Sequence, residues 1–423
     1  MQAEIISIGD ELLIGQVVNT NASFISEQLG RIGIDVKRIT TVGDSDTDIK
    51  AALASSLAKF DIALITGGLG PTHDDITKKS VAEFFGLGFE FNDEAFENCK
   101  SIFARFGRPM PDSNRSQGEV IAGSLVLQNS CGTAAGMILH GLAGHDNKFV
   151  VIMPGVPYEM QAMMRLSIIP YFQPLSKTVI KHSVLMTTGI GESTLAELIG
   201  DEQKFLTATS TLAYLPSPTG VRLRISTRGT HAAAVENENA SIVQAVSSRV
   251  EKFIYATDDV PIEALLGKLL KDRSLTIAVV ESCTGGLVAN RLTNIAGSSA
   301  YFLGGLIVYS NKSKQGLLGV QKETIARFGA VSEEVALEMA EGGLELTGGD
   351  IVLSTTGIAG PDGGTIEKPV GLVCLGLATS EKLDSLRITK KITFGDERLR
   401  NKERFSQAAL DLARRAVLGL HLT

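Results

Sequence analysis

The 423-residue sequence has only four cysteines, Cys99, Cys131, Cys283 and Cys374, and no two lie close together. That spacing excludes a zinc ribbon and offers no disulfide framework, so a reducing compartment is expected. No uninterrupted apolar run approaches the ~18 residues of a membrane span. No basic segment precedes the first apolar run, so no secretory signal is expected, and the reading is a cytoplasmic protein without a membrane partner. Basic charge is short as well: 40 Lys and Arg stand against 47 Asp and Glu, a net charge of −7. A mildly acidic surface argues against a dedicated nucleic-acid binder. Histidine is absent from 232 to 420, so a Ser-His-Asp triad in the carboxyl half would have to borrow its imidazole from elsewhere.

What the sequence has in quantity is glycine, 44 residues, often at the ends of short apolar runs. The length calls for two or three domains. In the first stretch, apolar runs at Glu4–Ile8, Asp61–Thr66 and Lys148–Met153 alternate with helical spacing such as Asn21–Ile32, which suggests parallel βαβ units. Past Pro170 the pattern changes. Lys181–Thr187 and Val221–Thr227 alternate like strands around a helical Glu192–Ile199, with a turn cluster at Pro216–Gly220, as in a small α+β module. After Thr257–Pro261 the α/β rhythm returns: strands at Leu275–Val280, Gly305–Tyr309, Ile351–Thr355, Gly371–Ala378 and Leu386–Phe394. Helices are expected at Leu287–Ile295, from an Ser332 N-cap through Leu346, and after Asp396. Over residues 381–415 Lys and Arg outnumber Asp and Glu, either as a solvated helix face or as a basic stripe for phosphates.

Two constellations carry chemistry. Thr66-Gly-Gly-Leu-Gly-Pro-Thr-His-Asp-Asp-Ile-Thr77 follows a buried strand and opens toward a helix. Glycines there allow close backbone approach, helix-start amides suit phosphate, and Asp74 and Asp75 are hard oxygen ligands for a divalent ion. Gly9-Asp10-Glu11 ends the first strand, where ligands collect in open α/β sheets. A tight turn and a helix start would account for the same residues. The second constellation is Ala278-Val-Val-Glu-Ser-Cys-Thr-Gly-Gly286, a strand running into a helix. Ser282 would stand at the sheet end, with the amides of Thr284, Gly285 and Gly286 placed to hold an oxyanion. With no histidine nearby, a lysine is the alternative base. Lys314, in the first turn of a helix after Ser310 or Asn311, would be pushed toward the neutral amine by the helix dipole and by burial. Tyr309 could relay a proton or hold that lysine. Cys283 is a competing nucleophile, and a simple helix cap is the plainer alternative. Ser354–Gly364 is another strand entering a glycine loop, and Arg398 could pair a phosphate.

Several of these stretches are similar to a known family. Gly9–Asn21, Thr66–Thr77 and Met153-Pro-Gly-Val-Pro-Tyr-Glu-Met160 resemble the amino-terminal domain of the CinA family (competence- and damage-inducible proteins), itself similar to molybdopterin-binding proteins. Glu281–Gly286, Ile295–Ala300, Val308–Asn311, Gly329–Ser332, Gly357–Gly364 and Lys368–Gly371 resemble the CinA carboxyl domain. The middle module resembles the KH-like domain of full-length members. The resemblance implies an α/β protein: a molybdopterin-binding-like α/β domain over 1–170, a KH-like α+β domain over 171–258 and an α/β CinA deamidase domain over 259–423.

For the carboxyl domain the resemblance implies nicotinamide mononucleotide (NMN) deamidase activity, with no cofactor. Ser282 is then nucleophile, Lys314 base and Tyr309 helper, with Thr284–Gly286 at the oxyanion and Thr356, Gly357 and Arg398 as substrate contacts. For the amino domain it implies ADP-ribose pyrophosphatase activity with Mg²⁺ or a similar divalent metal. Gly67, Gly68 and Gly70 would cradle the diphosphate, and Asp10, Glu11, Asp74 and Asp75 would hold the metal. A homodimer is implied too. Three residues depart from the family pattern: Gly118, Ala122 and Ala135, in loops expected to line the same pocket. Two other readings remain: an amino domain that binds a pterin or nucleotide without turnover, and a competence or DNA-repair accessory protein.

Overall fold

The computed structural model describes residues 1–72, 75–395 and 397–421. The chain divides into two compact units, Met1–His182 with Thr227–Glu238, and Ser183–Ser226 with Asn239–Thr423.

The first unit is built on a six-stranded sheet in the order Asp35–Val42, Gln2–Ile8, Ile62–Thr66, His145–Met153, Gly136–Leu142, Leu125–Leu127. The first four strands run parallel and the last two turn back antiparallel. Side chains alternate across the sheet. Ile5, Leu64 and Val151 pack on one face against Ile25, Leu29 and Phe172. Ile6, Ile65 and Ile152 pack on the other against Ile49, Leu53 and Val81. Both faces are covered, which is why these strands read as continuous apolar runs. The parallel strands end together at Gly9, Gly67-Gly68 and Pro154-Gly155. Gly67 is required there: its φ is 114°, and a Cβ would strike the Ile8 carbonyl.

A four-stranded sheet follows, ordered Ser210–Ser217, Gly220–Gly229, Val179–Thr187, Ile254–Ala256. Only one face is apolar: Val221, Leu223 and Ile225 point inward at alternate positions and meet Leu195, Ile199, Ile242 and Val246. This is the α+β module expected from the sequence, and its helix Glu192–Ile199 has the expected bounds.

The carboxyl sheet runs Phe302–Ile307, Ile277–Glu281, Ile351–Gly357, Leu372–Thr379, Arg387–Thr393, with the first three parallel and the last two antiparallel. Ile277, Val279 and Leu353 face the terminal helix Arg398–Leu418 through Phe405 and Leu410. Ala278, Val280 and Val352 face the helix Glu333–Thr347 through Val335 and Met339. Ser332 caps that helix, its hydroxyl accepting from the Val335 amide. The expected strand Gly305–Tyr309 instead covers Phe302–Ile307, because Val308 closes the pairing with a bond to the Glu281 carbonyl and Ser310 already caps the next helix. Among the described residues no helix is long and apolar enough to cross a membrane.

Candidate functional site

Ser282 is the first residue past the strand Ile277–Glu281. Its amide is fixed by the Thr355 carbonyl at 2.9 Å, so its position follows the sheet. Gly285 and Gly286, at φ 61° and 96°, turn the chain sharply into the helix Leu287–Thr293. Only glycine adopts two such conformations in succession without strain. A capping box at Ser310 and Ser313 starts the helix Asn311–Leu318, and Lys314 lies in its first turn. Thirty-odd residues of chain therefore return Lys314 to Ser282. The Lys314 Nζ lies 3.0 Å from the Ser282 Oγ, and both side chains are buried.

The other neighbours of that amine decide its chemistry. Nζ donates to the carbonyls of Val308 at 2.9 Å and Tyr309 at 3.3 Å. An amine that has given up its third proton could keep both N–H bonds on these two carbonyls and turn its lone pair to the serine hydroxyl. Its hydrogen-bond partners include no carboxylate, and burial pulls the Lys314 pKa below the ordinary lysine value. Cys283 behaves in the opposite way: burial pushes its thiol up to about 12, so it is no thiolate at neutral pH.

The remaining expected residues fall around this pair. Thr284 is buried, and its hydroxyl shares a 2.7 Å hydrogen bond with that of Thr355. The Tyr309 side chain is exposed and its hydroxyl accepts from Arg398 at 3.3 Å; toward Lys314 it offers its carbonyl, not its phenol. Arg398 also donates to the Gly360 carbonyl at 2.7 Å. Gly357 packs on Cys283, with the Cys283 Sγ 3.1 Å from where a Cβ would sit. The Thr356 hydroxyl donates to the Ala330 carbonyl at 2.7 Å, and the residue is buried within the strand Ile351–Gly357.

The oxyanion cradle is narrower than expected. The Gly286 amide donates to the Glu281 carboxylate at 2.9 Å, and the Gly285 amide to the Ser282 carbonyl at 3.2 Å. Of the three amides, that of Thr284 keeps its donor free of protein acceptors among the described residues. Glu281, missed in the sequence, also accepts from Val288 and Ala289 at 3.1 and 2.8 Å, so it caps the whole helix start. Lys402 was missed too; its Nζ lies 3.6 Å from a would-be Cβ on Gly285, bringing a second cation of the terminal helix to the turn. The excess of basic residues over 381–415 was the available signal.

In the first unit the strand ends border a cleft of about 560 Å³. Glu11, Gly67, Gly68, Gly70 and Asp75 line it, as expected. Asp10 does not: its backbone and carboxylate face Asp44. Asp75 spends one oxygen on the Thr72 amide at 3.0 Å and on the Thr72 hydroxyl. Asp74 lies outside the described residues. Among the described residues no three carboxylate, histidine or cysteine side chains gather to hold a metal. Thr133 and Ala134 reach the cleft, but Gly118, Ala122 and Ala135 do not line it; Gly118 is packed against Phe91 and Phe96.

Comparison with known proteins matches three consecutive segments of the chain. Residues 259–417 match the family described as CinA C-terminal domain, residues 4–174 the probable molybdopterin binding domain, and residues 182–256 the damage-inducible protein CinA KH domain. A CinA-like protein of Chloroherpeton thalassium is 64% identical over 414 residues, 98% of this chain and 99% of that protein. Another from Chlorobaculum tepidum is 47% identical, covering 97% of each. A crystal structure of the competence/damage inducible protein CihA from Agrobacterium tumefaciens is 36% identical, covering 37% of this chain and 96% of that chain, at a TM-score of 0.35.

Proposed function

The chain belongs to the CinA family, and we propose that its carboxyl domain is a serine–lysine amidohydrolase that converts NMN to nicotinic acid mononucleotide and ammonia. The observation that carries this reading is the 3.0 Å contact between a buried lysine amine and a buried serine hydroxyl at a strand end. Such a pair serves acyl transfer, because a neutral amine can take the proton that an alcohol must lose to become a nucleophile.

The steps balance without a cofactor. Lys314 removes the Ser282 proton as Oγ bonds to the carboxamide carbon, and the carbonyl oxygen becomes an oxyanion beside the Thr284 amide. The Lys314 ammonium then protonates the departing nitrogen, the C–N bond breaks, and ammonia leaves an ester on Ser282. Water loses a proton to Lys314 and attacks the ester; the returned proton regenerates the serine. Arg398 and Lys402 supply positive charge for the nucleotide phosphate. The test is ammonia release from NMN by wild type, Ser282→Ala and Lys314→Ala, with both variants silent if the reading is right.

A second activity, metal-dependent hydrolysis of ADP-ribose, is proposed for the amino domain. Its support is a nucleotide-sized cleft with glycine turns at three strand ends. The metal would supply charge neutralisation for the diphosphate; Glu11 is the expected ligand that lines the cleft with no protein donor on its carboxylate among the described residues. ADP-ribose bound but not cleaved, with Mg²⁺ present, would make this domain a binding module instead.

A further inference from the structure

The amino-terminal cleft has an unusual charge balance. Its described lining includes four carboxylates, Glu11, Asp44, Asp75 and Glu159, and no lysine, arginine or histidine. Glu11 is exposed, and Asp44 and Asp75 are half-buried. Glu159 is only 9% exposed, and it enters the cleft wall from the helix Pro157–Met163. A carboxylate that far out of water needs donors.

A buried donor is provided, and it is held rigidly. Asn129, itself buried, donates its Nδ2 to the Glu159 Oε2 at 2.7 Å. The Asn129 amide cannot turn over, because its Oδ1 accepts from the Cys131 and Gly132 amides at 3.1 and 2.9 Å while Nδ2 also reaches the Ala134 carbonyl at 2.9 Å. Gly132 makes the room, since a Cβ there would collide with the Glu159 carboxylate. The exposed Tyr158 stands beside it as well, and the Glu159 charge, burial and a hydrogen bond to Glu159 raise its phenol pKa. The remaining capacity of Glu159 is directed to the cleft, where the described walls offer it no cation.

A phosphate is repelled by such a group, so the complementary part of a ligand is neutral and rich in O–H or N–H donors. Adjacent hydroxyls of a ribose fit, as a carboxylate can accept from both, which is how acidic residues read ribose in dinucleotide sites. We infer that Glu159, locked by Asn129, is the specificity residue of the amino-terminal cleft and binds ribose hydroxyls, leaving the diphosphate to the glycine turns. This rests on the nucleotide reading of that cleft and adds to it the group that selects sugar over phosphate.

The test is calorimetric binding to the full chain, without added divalent metal so that no ligand is cleaved, of ADP-ribose, ADP and 2′-deoxy-ADP. Losing the terminal ribose, by going from ADP-ribose to ADP, or breaking the adenosine 2′,3′-diol, by going from ADP to 2′-deoxy-ADP, should weaken binding to wild type about tenfold in at least one step. In Glu159→Gln that step should shrink to less than about threefold while the other ratio is kept. A Glu159→Gln protein that retains both wild-type ratios overturns the inference. If Glu159→Gln does not fold, wild type decides: equal affinity for the three ligands overturns it as well. No binding of any of them removes the nucleotide reading of the cleft, and the inference with it.

Discussion

Lys314→Met tests the proton inventory of the carboxyl site. Methionine has nearly the length of lysine and suits the same buried channel, so the change removes the amine and little else. In the folded protein burial holds the Lys314 pKa below the ordinary 10.5. In the unfolded chain it returns to about 10.4, and each unit of difference is worth about 1.4 kcal/mol. Between the folded and unfolded values the unfolded chain binds the extra proton, so wild-type stability rises with pH across that window and is flat below it. Methionine carries no proton and lacks this slope. The orphaned Val308 and Tyr309 carbonyls and the Ser282 hydroxyl cost the variant about 1 kcal/mol each, independent of pH. Urea unfolding of both proteins at intervals from neutral pH to about 10 should therefore show wild type gaining on the variant as pH rises. Activity follows the same group: wild-type kcat/KM should climb with pH as Lys314 loses its proton, and Lys314→Met should lose about 10²–10⁴-fold throughout. A stability difference that stays constant with pH, together with a flat kcat/KM profile, would refute the neutral-amine argument.

Cys283→Ala should keep deamidase activity within a few-fold, and wild-type Cys283 should resist iodoacetamide at neutral pH, because burial has pushed its thiol up to about 12. Rapid alkylation with loss of activity would show that the thiol is reactive. Glu281→Gln should destabilise the carboxyl unit by about 2–3 kcal/mol in urea, since one carboxylate holds three amides at the helix start; an unchanged midpoint would show that water caps the helix equally well. Arg398→Ala should raise KM for NMN about tenfold or more with kcat nearly kept, as loss of a phosphate contact does. A fall in kcat alone would move Arg398 from binding to the chemical step.

Much of this was legible in the residues. Strand and helix positions followed from apolar runs that end in glycine, because both large sheets are covered on two faces and the middle one on a single face. Ser282 and Lys314 were legible as a pair because each sits at a place the fold fixes, a strand end and a capped helix start. Charged side chains were harder to read. Asp10 and Asp75 looked like metal ligands, yet acids at turns and helix starts find backbone and hydroxyl donors, here the Asp44 amide 34 residues along the chain and Thr72 three residues away. Glu281 and Glu159 passed unnoticed for the converse reason: their partners are amides and an asparagine whose direction depends on the folded turn. The two glycine amides assigned to the oxyanion were likewise claimed by the turn's own bonding.

The most direct measurement is rapid-quench peptide mapping of the full chain mixed with NMN, with ammonia followed in parallel. The account predicts a transient nucleotide ester on Ser282, formed as ammonia is released and absent in Ser282→Ala. An adduct on Cys283, or no ammonia at all, would contradict it.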